Sequence, residues 1–380
     1  MDSSRKKSVR ERSGHVAVLQ ENLLYIWGGF TLSASETLSL PPDELCVFNA
    51  EQDTWEIFDM NGDIPLLASG SCGCCLDGHM YIFGGCEYNW HTNEMYCVNL
   101  KDRTYTWKYL WYNSDSAPSP RDQASCWVYK GRIIYFGGYG EKLLDDYDGC
   151  NTSFIVDQAS WLEDVIWGWN NEVHVYDPVK STWQEPRMFG QVPPARASHA
   201  SAVLGSKGYI YGGNQLETQM SDIHCLDLES WTWTQITPQS SAPAGRSWHT
   251  LTAVSESTVF LLGGLGAGNK AMSDSWLLDV ETHTWRETDH LKKNTRLWHS
   301  ACSPGDSSVV VFGGSRDFIN SVFTDHCNDV LIFQLQPQSL FRICLNYMSS
   351  NATSSHFLRS QLSHLPPRLL SALQPRTLPE

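Results

Sequence analysis

The sequence is short of positive charge. Its 27 Lys and Arg stand against 42 Asp and Glu, a formal net charge of −15 over 380 residues. A nucleic-acid binder needs a basic surface for phosphates, and an anionic membrane attracts basic patches, so neither reading fits. Long apolar runs are missing as well. No stretch of about eighteen apolar residues occurs, so no membrane-spanning helix is expected. The opening MDSSRKKSVRERSGH is basic but has no apolar segment behind it, unlike a secretory signal. A cytoplasmic or nuclear protein is therefore expected, not a secreted one, and its twelve cysteines are expected to be reduced thiols. Catalytic signatures are lacking too: there is no His-Glu-x-x-His, nucleophile elbow or phosphate loop. GGLGAGNKA comes nearest to the last, but Asn269 separates Gly268 from Lys270 and no Ser or Thr follows. No catalytic residue, cofactor or enzyme activity is expected.

The tightest cysteine group is Cys72, Cys74 and Cys75, with Cys86 further on. Zinc calls for paired Cys-x-x-Cys units or added His at ligand spacing. Cys72 and Cys74, two apart, fall on one face of a strand, so structural thiols are expected and no metal.

What the sequence does have is 28 Gly and 16 Trp, arranged in a repeat. An apolar strand ending in Gly-Gly occurs six times, at Gly28, Gly84, Gly137, Gly212, Gly263 and Gly313. The spacing is 50 to 56 residues, with one gap of 75. Arg-x-x-His precedes four of the pairs: Arg12–His15, Arg196–His199, Arg246–His249 and Arg296–His299. Copies spread at this period point to structural use, with each His expected to bond within its own unit. After five pairs come a further strand, a turn and a strand carrying Trp55, Trp107, Trp183, Trp233 or Trp285. Each unit thus holds four short strands. Four strands cannot bury both faces alone, and radial packing of such sheets gives a β-propeller.

The third unit carries an acidic, Trp-rich insertion between Gly138 and Val173, expected to pack over one face. The sixth lacks its Trp strand, so closure calls for a strand from the segment before Arg12. After Pro337 strand patterning stops. Leu340, Cys344 and Met348 recur at helical spacing behind Ser339 as N-cap, and Leu365, Leu369 and Leu373 repeat it, with Pro366 and Pro367 in a first turn.

Strand, Gly-Gly, strand, turn, Trp resembles the kelch repeat, over residues 12 to about 336. In the tail, Ser-Leu340-x-x-x-Cys344-x-x-x-Met resembles the BC box that binds elongin C. Leu365-Pro366-x-x-Leu369-x-x-x-Leu resembles the cullin-2 box. The whole chain is similar to the kelch substrate receptors of cullin-2 RING ubiquitin ligases. That resemblance implies an all-β six-bladed propeller followed by a short α-helical BC-box/cullin-2-box segment. The implied boundaries are a tail at 1–11 offering a closing strand, a propeller at 12–336, docking helices at 337–373 and a tail at 374–380. The implied partners are elongin B/C, cullin-2, a RING subunit and the C-terminal peptide of a substrate, held on the top face. Tyr139, Trp169, Ser247 and Trp248 match the family's peptide pocket. Asn214 and Gln219 stand where the family has two Arg, Gln123 where it has Lys, and Phe30 where it has Tyr. These departures remove the carboxylate clamp and count against diglycine specificity. The other reading of the same residues is a plain kelch interaction scaffold, whose tail merely packs.

Overall fold

The central strands of each Gly-Gly unit pair antiparallel in one sheet, and in the second and fourth units a short fifth strand joins the edge in parallel. A computed structural model describes residues 8–335, apart from 34–35, 67–68, 88–89, 113–115, 148, 150–151, 289–294, 306 and 318–324. The first sheet runs Val16–Gln20, Leu23–Trp27, Glu44–Asn49, Thr54–Asp59. The innermost strands touch in cyclic order: Val16–Gln20, Cys72–Leu76, Ser125–Tyr129, Ala200–Leu204, Thr250–Ala253, Ser300–Cys302, and back to Val16–Gln20. Six sheets therefore close into a β-propeller. Among the described residues there is no α-helix, only the 3-10 turns Leu144–Asp146 and Ala267–Asn269. The expected C-terminal helices fall outside the described residues.

The repeated residues are the joints between blades. Each recurring Trp packs on the aromatic residue just before the Gly pair of the preceding blade. Trp107 meets Trp27, Trp183 meets Phe83, Trp233 meets Phe136, Trp285 meets Tyr211 and Trp55 meets Phe312, with ring centroids 5.1–5.3 Å apart. Each such pair adds about 0.5–1.5 kcal/mol beyond the area it buries. The sixth seam has Leu262 in that place, and blade 6 shows three strands among the described residues. The two absences coincide: where no Trp strand is seen, no aromatic residue waits for it.

The histidines also cross seams, which corrects the expectation of bonds within a blade. His199 Nε2 lies 2.7 Å from Ser125 Oγ, His299 Nε2 2.9 Å from Thr250 Oγ1, and His15 Nε2 2.8 Å from Ser300 Oγ. Each partner belongs to the preceding blade. For His249 the matching position is Ala200, which has no hydroxyl, and both ring nitrogens are buried without a partner.

The arginines stitch the same seams, and Arg121 is a fifth copy that the Arg-x-x-His pattern hides because Ala124 replaces the His. The Arg196 carbonyl accepts from Gly138 N of blade 3 at 2.9 Å, while its Nη1 donates to Gly212 O of blade 4 at 2.9 Å. Gly212 (φ 63°) and Gly213 (φ 94°) are obligatory there. A Cβ would sit 2.5 Å from Arg246 O at the first and 2.7 Å from Ala197 O at the second. A buried guanidinium needs a counter-charge, and Asp222 supplies a two-pronged one at 2.8 and 2.7 Å. Asp274 does the same for Arg246, and Glu172 and Asp329 partner Arg121 and Arg296.

Among the described residues the closing seam uses this machinery; of the expected closing segment, residues 1–7 lie outside the described residues. Residues 8–12 form no strand, as suits a charged, polar run. Instead Gly314 N donates to Arg12 O at 2.8 Å, Arg12 N to Cys327 O at 3.1 Å, and Arg12 Nη1 to Gly28 O at 3.1 Å. The acidic insertion is likewise a sheet and not an irregular loop: Arg121–Asp122, Tyr139–Leu143, Val165–Asn170 and Phe154–Leu162 pair in that order.

Burial holds the seam histidines neutral. His199 and His299 are pushed down to about 3 by burial and then by the neighbouring arginine, and His15 and His249 fall well below the usual value for the same reasons. A base whose folded pKa lies below its unfolded one, about 6.5, contributes full stability above that value and loses it as pH falls toward the folded pKa. Each ring can remove up to about 1.4 kcal/mol per pH unit in that window. Stability should therefore drop between pH 6.5 and 5, above the range where carboxylates begin to protonate. Urea unfolding across this interval measures it, and His199→Phe should make the dependence shallower.

Candidate functional site

One rim of the ring is built by a repeated pairing. The residue after each buried Arg bridges to the residue after the Gly pair of its own blade, as in Asp122 with Tyr139, Ala197 with Asn214, and Ser247 with Leu265. The hairpins that follow the Gly pairs therefore rise from one face. The expected pocket residues lie on this face, along an arc over blades 3 to 5.

Tyr139 and Trp169 are cross-strand partners on neighbouring strands of the insertion sheet, with ring centroids 5.1 Å apart, edge to face. Trp169 is covered by Ala195 and Ala197, and Ala197 bridges to Asn214. Asn214 and Gln219 face each other across a short hairpin. Their Oδ1 and Oε1 atoms are buried and have no hydrogen-bond partner. Ser247 is only 2% exposed, so it sits beneath the surface rather than on it. Trp248 lines a small central cavity of about 120 Å³ with Gln123, Ser198 and Trp298, and stacks on Trp298 at 4.8 Å with 8° between the planes. Its Nε1 donates to Gln123 Oε1 at 3.1 Å, and Ser198 Oγ donates to the same oxygen.

Four participants carried no expectation as positive site residues: Gln123, Trp298, Asp122 and Asp157. Tyr139 donates its hydroxyl proton to Asp157 Oδ2 at 3.0 Å, and burial together with that carboxylate pushes it up to about 12. A cavity of about 760 Å³ opens beside Tyr139, lined also by Trp90, His91, Glu141, Leu162 and Trp167. Burial raises the Glu141 carboxyl.

Arg196, Arg246 and Lys142 are committed to ion pairs. Arg246 is fully buried and held by Asp274, and Lys142 lies 3.2 Å from Glu172. Burial opposes the charge on Asp222, but the Arg196 fork and His224 hold its carboxyl well below the usual range. Such locked pairs give a ligand carboxylate nothing. Lys270 is exposed at a hairpin.

One group among the described residues has a metal-compatible arrangement. Cys86, His91 and Asp122 bring their donor atoms within 4.8 Å of one another. Burial disfavours charge on His91, yet the neighbouring Asp122 carboxylate and Cys86 thiol override it and raise the ring to about 10. Cys72 and Cys74, two apart on one strand, instead face Cys126 of blade 3. Hydrogen bonding to that thiol, with burial, pushes both up. The ten described cysteines are all free. Leu340, Cys344, Leu365, Pro366 and Leu369 lie outside the described residues.

The KLHDC2/KLHL20/DRC7 Kelch-repeats domain family matches residues 14–264 and 167–359. The chain belongs to the kelch-repeat family. Kelch domain-containing protein 1 of Homo sapiens is 46% identical over 365 residues, which cover 95% of this chain and 88% of that protein. Kelch domain-containing protein 2 of Bos taurus is 36% identical over 370 residues, covering 92% and 89%. The human form of the second is 35% identical over the same length. These homologies span the ring and continue past its last described strand, Val330–Gln334.

Proposed function

We propose that this kelch propeller is the substrate-recognition subunit of a cullin-2 RING ubiquitin ligase. It transfers nothing itself. The rim over blades 3 to 5 holds a substrate peptide, and residues 337–373 dock elongin C and cullin-2. The observation that carries this reading is the extent of the family match, which runs to residue 359 and so takes in Leu340 and Cys344 beyond the last described strand. A ring that only scaffolds has no use for a BC-box pattern there. No helix among the described residues is long and apolar enough to cross a membrane, which fits action in the cytosol or nucleus.

The pocket favours a peptide end recognised without an ion pair. Asn214 and Gln219 offer amide groups with unsatisfied buried oxygens, and Tyr139 and Trp248 add aromatic rings along the same arc. Paired arginines below them cannot turn outward without stranding Asp222 or Asp274. A carboxylate would also meet the field of a chain carrying −15.

Docking is tested in the full chain by Leu340→Asp. An unpaired carboxylate in an apolar partner pocket is strongly disfavoured, so capture of elongin B/C should be lost while the ring stays folded. A chain truncated after Pro337 should behave likewise. Retained capture by either would move docking to another surface.

The pocket is tested by calorimetry with one Gly-Gly-ended peptide and its amidated twin. The wild type should bind the free acid weakly. Two restored charge-assisted bonds are worth about 1.5–3 kcal/mol each, so Asn214→Arg with Gln219→Arg should raise affinity at least about tenfold. The gain should vanish with the amidated peptide. Tight wild-type binding of the free acid would contradict this account of the pocket.

A further inference from the structure

The blade 2 hairpin sets Cys86 directly opposite His91, and Asp122 reaches them across the seam from the strand Arg121–Asp122 that opens blade 3. His91 Nε2 stands 3.6 Å from Asp122 Oδ1, with side chains 5% and 7% exposed. That separation is too long for a hydrogen bond. It is close to roughly 3.4 Å, the edge of a tetrahedron whose metal–ligand bonds are near 2.1 Å. Asp122 Oδ1 is buried and makes no hydrogen bond, whereas Oδ2 accepts from Gln123 Nε2 at 3.0 Å. The carboxylate is thus held by one oxygen and presents the other, desolvated, to the imidazole and the thiol. A buried carboxylate oxygen without a hydrogen bond is costly unless a cation meets it, and in the metal-free chain the His91 ring, 3.6 Å away, is the cation nearest to it. Cys86 is fixed by its backbone: its N–H donates to Ser69 O at 2.9 Å, and Ser69 Oγ donates to its carbonyl at 2.7 Å.

We propose that Cys86, His91 and Asp122 form a zinc site. One thiolate, one imidazole and one carboxylate suit a borderline-soft divalent ion and not magnesium or calcium, which take oxygen. Three protein ligands leave a fourth position for water, and one of them, His91, also lines the 760 Å³ cavity. Binding displaces protons from the thiol and the imidazole to solvent. The ion ties blade 2 to blade 3 at a seam where Ala124 replaces the bridging histidine.

The test uses the full chain, stripped with a chelator and titrated with zinc or cobalt alone. One equivalent of zinc should bind and raise the unfolding temperature. The cobalt form should show a thiolate-to-cobalt charge-transfer band and the intense visible bands of tetrahedral cobalt. Cys86→Ser should remove the charge-transfer band with the circular dichroism unchanged, and His91→Gln should weaken zinc binding about tenfold or more. Cys75→Ser, on a partly exposed thiol elsewhere, should leave the band intact. No stoichiometric zinc binding, or a charge-transfer band that survives Cys86→Ser, would overturn the proposal. The second result would place the ion on other thiols.

Discussion

Six peptide groups hydrogen-bonded in a closed circle hold the molecule together. Gly14 N donates to Trp298 O, Trp298 N to Trp248 O, Trp248 N to Ser198 O, Ser198 N to Gln123 O, Gln123 N to Gly70 O, and Gly70 N to Gly14 O, at 2.7–3.2 Å. Each blade gives one donor and one acceptor, and all six residues are left-handed, with φ between 53° and 68°. Four of them are not glycine, and that conformation costs about 1–2 kcal/mol apiece. Six net hydrogen bonds return about 1 kcal/mol each. The circle therefore roughly breaks even. Its energy comes from the seams around it, and its contribution is geometric: it fixes six blades in one register.

That register explains the rim. Because the circle sets residue two after each arginine, it also sets residue one after, which bridges to the hairpin beyond the Gly pair. Tyr139, Asn214 and Leu265 are equivalent positions made different by side chain alone. The scaffold below them is occupied: arginine forks, carboxylates and neutral histidines are committed to seams. Ligand chemistry is left to the residues above, where amides, aromatic rings and the Cys86–His91–Asp122 group stand.

The sequence makes legible whatever recurs as a residue type. The Gly pairs, the five Trp strands and four arginines declare blade number and the absent sixth Trp. Contacts between units are not legible, because spacing along the chain says nothing of which blade a side chain reaches. That is why the histidines were assigned inward and cross outward. The circle left no compositional trace, since Gly, Gln, Ser and Trp share only a backbone conformation there. Asp122 lies 31 residues after His91 and in another blade, so no motif could join them. Tyr139, Trp169, Asn214 and Gln219 are candidates only through family resemblance, and hydrophobic pattern alone makes two of them core.

If the circle ties the blades into one unit, its amides should open only when the whole ring does. Native-state hydrogen exchange at Gly14, Gly70, Gln123, Ser198, Trp248 and Trp298 reads this directly. All six should share one opening free energy, equal to that of global unfolding. Fast exchange at Gly14, with the other five still protected, would show that the seam between blades 6 and 1 opens independently and that the ring is not closed as described.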